Sequence, residues 1–314
     1  MEIIRLKHPH PPLKLPSTAV ALGFFDGVHR GHQKVIEVAK EEAMKRNHQS
    51  AVMTFFPHPK EVLRKEEANN IEYLSPLPEK IQLIESLGVD YLFIVSFDRH
   101  FADLSPQQFV DQYLIDLNVK HVVAGFDYSY GRLGKGTMET LPFHSRDEIM
   151  QTTVGKVSQD NEKISSTEIR SALALGNMDK VNQFLGRNFI VEGQVEHGEK
   201  RGRTIGFPTA NIKPVERTVV PAVGVYFVYL NVNGKKLPGV CNVGYKPTFH
   251  DDVPDRPTIE VHVLDFHGDL YDENVFVSFV SRIRGERKFD SIEALKQQIN
   301  EDIKRACEFL EKKC

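Results

Sequence analysis

One stretch constrains this chain more than any other: Leu22-Gly23-Phe24-Phe25-Asp26-Gly27-Val28-His29-Arg30-Gly31-His32. The apolar run from Thr18 to Phe25 leads into it and predicts a buried strand. From about His32 to Arg46, Val35, Ile36, Val38 and Ala39 fall at helical spacing and predict a helix. A strand that passes through a glycine turn into a helix makes an anion site, because the first helical N–H groups lack partners and the helix dipole favours negative charge. His29 and His32 stand three residues apart at that mouth, so one helical turn aims both at the same ligand. The turn contains neither G-x-x-x-x-G-K-[ST] nor G-x-G-x-x-G, and the helix lacks the H-E-x-x-H of zinc proteases.

What the turn does contain is G-x-F-D-G-x-H-x-G-H. This pattern resembles the signature of the HxGH nucleotidyltransferases. The flanking Phe-Asp-Gly-Val-His narrows the resemblance to the bacterial bifunctional riboflavin kinase/FAD synthetases. The resemblance implies that His29 and His32 support adenylyl transfer from ATP, with Gly23, Phe25, Asp26 and Gly31 in the nucleotide site.

At 314 residues the chain suits two domains, and 40% hydrophobic residues suffice for two cores. A net charge of -3 argues against general nucleic-acid binding. Cys241, Cys307 and Cys314 are too few and too scattered for a disulfide framework or a zinc site, and read as free thiols. Met1 to Pro16 lacks the apolar core of a signal peptide, and no apolar run reaches the ~18 residues of a membrane span. The expectation is a cytoplasmic enzyme with neither nucleic-acid nor membrane partners.

Ser50 to Phe56 predicts a second strand, closed by Pro57-His58-Pro59. Strand, helix and strand in that order predict a parallel sheet, whose ligands lie at the carboxyl ends of its strands. His58 follows such an end. It is either part of the same crevice or a loop histidine held between prolines. Pro78 to Leu87 predicts a helix with Ile81, Leu83, Ile84 and Leu87 apolar. Tyr91 to Ser96 is a strand, Gln107 to Leu117 a helix behind the Ser105-Pro106 start, and His121 to Gly125 a strand. The loop from Phe126 to Gly136 comes next. The resemblance implies flavin and nucleotide contacts there, with Asp127 and Arg132 in the acidic and basic places and His58 also at the flavin. The family more often shows Asp-Phe-Arg-Phe-Gly where this chain has Asp-Tyr-Ser-Tyr-Gly, and an Asp where it has Thr137.

Ser165-x-x-Glu168 is a capping box opening another helix. Its hydroxyls, free N–H groups and Arg170 one turn on also make a phosphate clamp. Ile164-Ser165-Ser166-Thr167-Glu168-Ile169-Arg170 resembles the Ile-Ser-Ser-Thr-x-x-Arg motif of the same family, which grips the ATP phosphates.

Beyond a helix at Met178 to Leu185 the pattern changes to strand-length runs, so the boundary is expected near 186: an adenylyltransferase domain over 1–186 and a kinase domain over 187–314. Phe189–Glu196, Gly224–Val232, Lys236–Val243, Thr258–Phe266 and Asn274–Arg282, with an Asn233-Gly234 hairpin, predict a small antiparallel barrel. Ser291 to Lys312 predicts an amphipathic helix packed on it.

Between the first two barrel runs lies Gly198-Glu199-Lys200-Arg201-Gly202-Arg203-Thr204-Ile205-Gly206-Phe207-Pro208-Thr209-Ala210-Asn211. Its glycines and basic residues suit a polyphosphate. Thr209 and Asn211 share one face of an extended chain and offer two neutral oxygens to Mg²⁺. The string resembles the riboflavin kinase signature ending in Pro-Thr-Ala-Asn, which implies ATP contacts at Gly198, Lys200, Arg203 and Gly206. Glu260-x-His262-x-Leu264-Asp265-Phe266 resembles the strand that carries that kinase's catalytic base, which here is Glu260. Asn242 to Phe249 and Arg284 to Phe289 resemble segments near the flavin site, with Phe207 and Arg287 as flavin contacts. The fold expected is a parallel-sheet, Rossmann-like HxGH domain followed by an antiparallel barrel with a C-terminal helix. The function expected is phosphorylation of riboflavin to FMN, then adenylyl transfer from ATP to FMN.

Overall fold

The computed structural model describes residues 1–64, 71–198, 202, 205–245 and 257–311. Lys200, Arg203, the segment from Lys246 to Phe249 and Cys314 lie outside the described residues. The chain divides into two compact units, Met1–Ser166 and Thr167–Cys314.

The first unit runs β1 (Glu2–Leu6), β2 (Thr18–Leu22), α1 (Arg30–Lys45), β3 (Gln49–Phe56), α2 (Pro59–Leu63), α3 (Leu77–Ser86), β4 (Tyr91–Ser96), α4 (Arg99–Ala102), α5 (Pro106–Val110), β5 (Val119–Gly125), β6 (Ser129–Tyr130), β7 (Gly136–Thr137), α6 (Leu141–Ser145), β8 (Met150–Val154), β9 (Ser158–Gln159) and β10 (Glu162–Lys163). Six strands form one sheet in the order β1-β4-β3-β2-β5-β8. Every pairing in it is parallel.

Parallel sheets are covered on both faces, so their strands read as unbroken apolar runs. Thr18–Leu22 is buried along its whole length. Val20 and Leu22 face one layer with Met53, Phe93, Phe109 and Tyr113. Ala21 faces the other, where Val35, Ile36 and Ala39 of α1 meet Val52, Leu92 and Val123.

Among the elements that differ from the sequence expectation are β2, the helix before β5, and the strand expected over Thr258–Phe266, which ends at Val263. β2 stops at Leu22 rather than Phe25, because Phe25 takes φ 55° and turns the chain out of the ladder. The predicted helix from Gln107 to Leu117 is a five-residue α5 followed by a wide turn over Asp111–Ile115, closed by Asp116 N–H donating to Asp111 O. β1 and β8 carried no strong pattern and were not expected. They are the outermost strands, where a single pairing suffices.

The second unit contains α7 (Ser166–Leu175, its first residue counted with the first unit), α8 (Met178–Leu185), β11 (Phe189–Glu196), β12 (Ala210–Pro214), β13 (Gly224–Val232), β14 (Lys235–Gly244), β15 (Thr258–Val263), β16 (Asn274–Arg284) and α9 (Ile292–Glu311). The six strands close into an antiparallel barrel in the order β11-β12-β15-β14-β13-β16. Asn233 and Gly234 both take positive φ, as the hairpin between β13 and β14 requires.

Hydrogen bonds through Asn182, Ala222 and Arg282 tie α7 and α8 to the barrel. The Asn182 amide donates to Phe279 O and Val280 O and accepts from Phe189 N–H. Ala222 N–H bonds Leu173 O, and Arg282 reaches Leu175 O. α9 lies on the barrel through Ala306, Ile303 and Phe309, the last stacked on Phe227 at 5.6 Å. Arg284 grips Asp302 with two nitrogens, and Gln298 donates to the same carboxylate.

Candidate active sites

The first site forms where β2 gives way to α1. His29 is the N-cap of α1, and its Nδ1 accepts from His32 N–H at 3.2 Å. A ring nitrogen that accepts carries no proton, so in neutral His29 the proton sits on Nε2 and points away from the cap. The His29 and His32 rings stack at 3.5 Å, 18° from parallel. Phe25, 1% exposed, sets its ring edge-on to His32 at 5.2 Å. Gly31 lets the pair sit close: a Cβ there would lie 3.1 Å from the His29 ring. His32 is held well below the usual histidine range, first by loss of water, then by His29, then by Lys80. Its Nδ1 is buried without a hydrogen bond.

Asp26, 5% exposed, accepts from the N–H groups of Leu74 and Ser75 at 3.0 and 3.2 Å. Ser75 Oγ in turn accepts from Gly27 N–H at 2.8 Å. The turn is therefore laced to the segment before α3. Asp26 braces the glycine turn and is not displayed at its mouth. Gly23 leaves room for the Phe25 ring, which a Cβ would meet at 2.8 Å. Ser166 donates from Oγ to Asp26 O at 3.0 Å, so the start of α7 meets the same turn. Ser165 precedes it. Thr167 and Arg170 follow three apart on α7, on one face of the helix and within the second unit.

His58 has a structural task. It is the N-cap of α2, accepting from Lys60 N–H through Nδ1, while Glu61 accepts back from its N–H. Its ring also lies edge-on to Phe24 at 4.4 Å, which brings it beside the turn. Asp127 and Arg132 occupy the loop after β5. Asp127 pairs with Lys163 at 2.7 Å and is 59% exposed. Arg132 is 64% exposed and stands 3.6 Å from Asp103. Lys163 also sits 4.8 Å from the exposed Phe126 ring.

The second site is on the barrel. Asn211 pairs in register with Glu260, and Glu260 with Asn242, so three polar side chains form a row across β12, β15 and β14. Alternate residues Ile212, Ile259, Val261 and Val243 are buried in the barrel, which turns the row to its other face. Thr209 lies two residues before Asn211. Glycines fit closely around both. A Cβ at Gly198 would lie 2.1 Å from Asn211 Nδ2, and one at Gly202 would lie 2.3 Å from Phe207 O and 3.5 Å from Thr209 Oγ1. Gly206, at φ 92°, has open space around it. His262 donates from Nδ1 to Pro208 O at 2.8 Å, and Phe207 meets its ring edge-on. A cavity of about 70 Å³ opens beside Thr209 and Ala210, walled by Val261, Phe266, Asp269 and Tyr271. Arg287 is exposed, with its guanidinium 4.8 Å from the Phe289 ring.

Sequence reasoning missed Ser75, Lys80 and Lys163 around the first site, and Asp269 and Tyr271 around the second. Lys80 falls beside the apolar positions of the predicted helix, where a lysine carries no signal of its own. The others lie on or beside loops whose partners are remote in sequence.

Two family models cover the chain in turn: FAD synthetase over residues 12–168 and riboflavin kinase over residues 185–310. The bifunctional riboflavin kinase/FMN adenylyltransferase of Bacillus subtilis is 46% identical over 98% of both chains. The Escherichia coli protein of the same name is 38% identical, again over 98% of both. The chain belongs to the bifunctional riboflavin kinase/FMN adenylyltransferase family. A crystal structure named as a macrolide-efflux protein from Streptococcus pneumoniae shares the fold, with a TM-score of 0.87 at 35% identity over 97% of this chain and 98% of that one. Among the described residues no helix is long and apolar enough to cross a membrane. As a bifunctional riboflavin kinase/FMN adenylyltransferase, the chain takes riboflavin, FMN and ATP as substrates.

Proposed function

We propose that the two reactions run at the two sites described, with the adenylyltransferase assigned to residues 1–186 and the kinase to 187–314. At the barrel, Glu260 accepts the proton of the ribityl 5′-hydroxyl as that oxygen attacks the γ-phosphate of ATP and the bond to the β-phosphate breaks, releasing ADP. An alcohol is a poor nucleophile, so this step needs a base. The row formed with Asn211 carries this reading, since it sets Glu260 beside the proposed metal ligands. Thr209 and Asn211, two apart on an extended chain, offer Mg²⁺ two neutral oxygens from one face, the donor type a hard cation takes. Bound there, Mg²⁺ would neutralise charge on the ATP phosphates. We assign Gly198, Lys200, Arg203 and Gly206 to the ATP phosphates, and Phe207 and Arg287 to the flavin. In the glutamine variant Glu260→Gln, FMN formation should fall by about 10²-fold or more, while FAD formation from supplied FMN continues. Equal loss of both activities would overturn the assignment.

In the adenylyltransferase segment, residues 1–186, the nucleophile is the FMN phosphate, already ionised, so no base is needed. Catalysis is positioning and charge stabilisation at the α-phosphate as pyrophosphate leaves. The stacked His29/His32 pair at the α1 N-terminus carries this reading. His29 presents an Nε2–H donor, and the N-terminal end of the α1 dipole adds positive potential. Gly23, Phe25, Asp26 and Gly31 hold that geometry. Ser165, Ser166, Thr167 and Arg170 take the outer phosphates, and His58, Asp127 and Arg132 the flavin. Replacing His29 and His32 together by alanine should abolish FAD formation and spare FMN formation, measured by chromatography of timed incubations. We place the enzyme in the cytoplasm, consistent with the free thiols of Cys241 and Cys307.

A further inference from the structure

We propose that Lys80 is a positioning residue for adenylyl transfer: its buried ammonium pins the turn that carries His29 and His32 and sets the charge against which His32 works. The inference rests on the assignment of those histidines to that reaction.

Lys80 lies in α3 and is 1% exposed, more buried than its apolar neighbours Ile81 and Leu83. Its Nζ donates to Phe24 O at 2.9 Å and lies 4.0 Å from the centroid of the Phe24 ring. The same carbonyl already accepts from Thr54 Oγ1 at 2.8 Å. The fold therefore does not need Lys80 to satisfy Phe24 O, and an apolar side chain would fill the space without the cost of burying an ammonium. A charge kept where packing does not require it points to the neighbouring site.

The charged groups around it come from three segments. Asp26, in the turn, attracts the ammonium. His32, with His29 stacked on it, faces the positive charge from the start of α1. Glu79, beside Lys80 in α3, is buried as well. Thr54, the contact from β3, is neutral. A cation in this position disfavours a second one on His32, so His32 meets a phosphate as a neutral N–H donor. Burial draws Lys80 itself down to about 8, partly opposed by Asp26. The working state, with His32 neutral and Lys80 charged, thus occupies a window that closes on the alkaline side near that value.

The test uses the full chain with Lys80→Met and Lys80→Arg, following FAD formation from FMN and ATP against pH. FMN formation from riboflavin serves as an internal reference. In Lys80→Met the FAD-forming rate should fall about tenfold or more, as expected for a lost charged hydrogen bond. Its acid limb should move to higher pH, and FMN formation should stay unchanged. In Lys80→Arg the acid limb should stay where the unmodified chain has it. NMR titration of the His32 ring in the resting chain should show the same upward shift in Lys80→Met, independently of turnover. Unaltered FAD kinetics in Lys80→Met, or a slower rate with an unmoved limb and an unmoved His32 titration, would overturn the proposal. If Lys80→Met does not fold, Lys80→Gln, which can still donate to Phe24 O without the charge, carries the same readings: a raised acid limb and His32 titration support the proposal, and unmoved ones refute it. His32→Ala separates the two levels. Retained FAD formation there would remove the site assignment itself, whereas its loss beside a normal Lys80→Met would remove only the role of Lys80.

Discussion

Single side chains here show how a charge state is fixed by neighbours. His29 spends one ring nitrogen on capping α1, which settles its tautomer. His32 spends its backbone N–H on that cap and leaves its ring against Phe25 and His29, where protonation is disfavoured. A histidine kept neutral in the folded chain links folding to protons. The unfolded chain takes up a proton at His32 below the ordinary value of 6.5, and the folded chain resists it to lower pH. The stability contributed is complete above that ordinary value and is lost as pH falls towards and through the lowered one. Urea unfolding of the first unit should therefore show a lower midpoint at about pH 5.5 than at about pH 7.5. His32→Phe should reduce that difference, and an unchanged difference would count against it. Both histidines were legible in the sequence because a short, dense motif carries them. Lys80 was not, since a lysine in a helix reads as a solvated side chain until the fold buries it.

At the scale of elements, periodicity recovered the elements that obey their own period. Tyr91–Ser96, Met178–Leu185, Phe189–Glu196 and Gly224–Val232 begin and end where their patterns do. α3 obeys only part of its pattern: Ile84 is buried as expected, but so are Glu79 and Lys80, while Leu83 and Ile81 are partly exposed. Tertiary context at the turn outweighs amphipathicity there. The segment of β12 was read as an extended stretch carrying Asn211 at the end of a phosphate-binding string, without the pairing that brings Asn211 into line with Glu260. Strand pairing between segments so far apart cannot be read from either alone. The clamp between β16 and α9 gives a stability prediction. Asp302 is 1% exposed and takes hydrogen bonds from Arg284 and Gln298. Asp302→Ala strands a partly buried guanidinium, so it should destabilise the barrel unit by about 3 kcal/mol, read as a lower denaturation midpoint. A loss below about 1 kcal/mol would place the pair among surface bridges that contribute little.

For the molecule as a whole, two sites on two compact units imply that the intermediate can be exchanged between chains. On the proposed assignment, a chain lacking His29 and His32 should still make FMN, and a chain lacking Glu260 should still use it. Mixed together with riboflavin and ATP, the two variants should restore FAD formation, with a lag that shortens as protein concentration rises. No restoration would mean that FMN must pass within one chain. Barrel closure has a further consequence, for the order in which the protein is made. β11 pairs with β16 from Phe189↔Phe279 to Gln194↔Asn274, so the ring stays open until nearly the last strand has left the ribosome. The parallel sheet contains its last strand by Val154 and can settle while the barrel is still being translated. On each nascent chain the half that consumes FMN can therefore fold before the half that makes it.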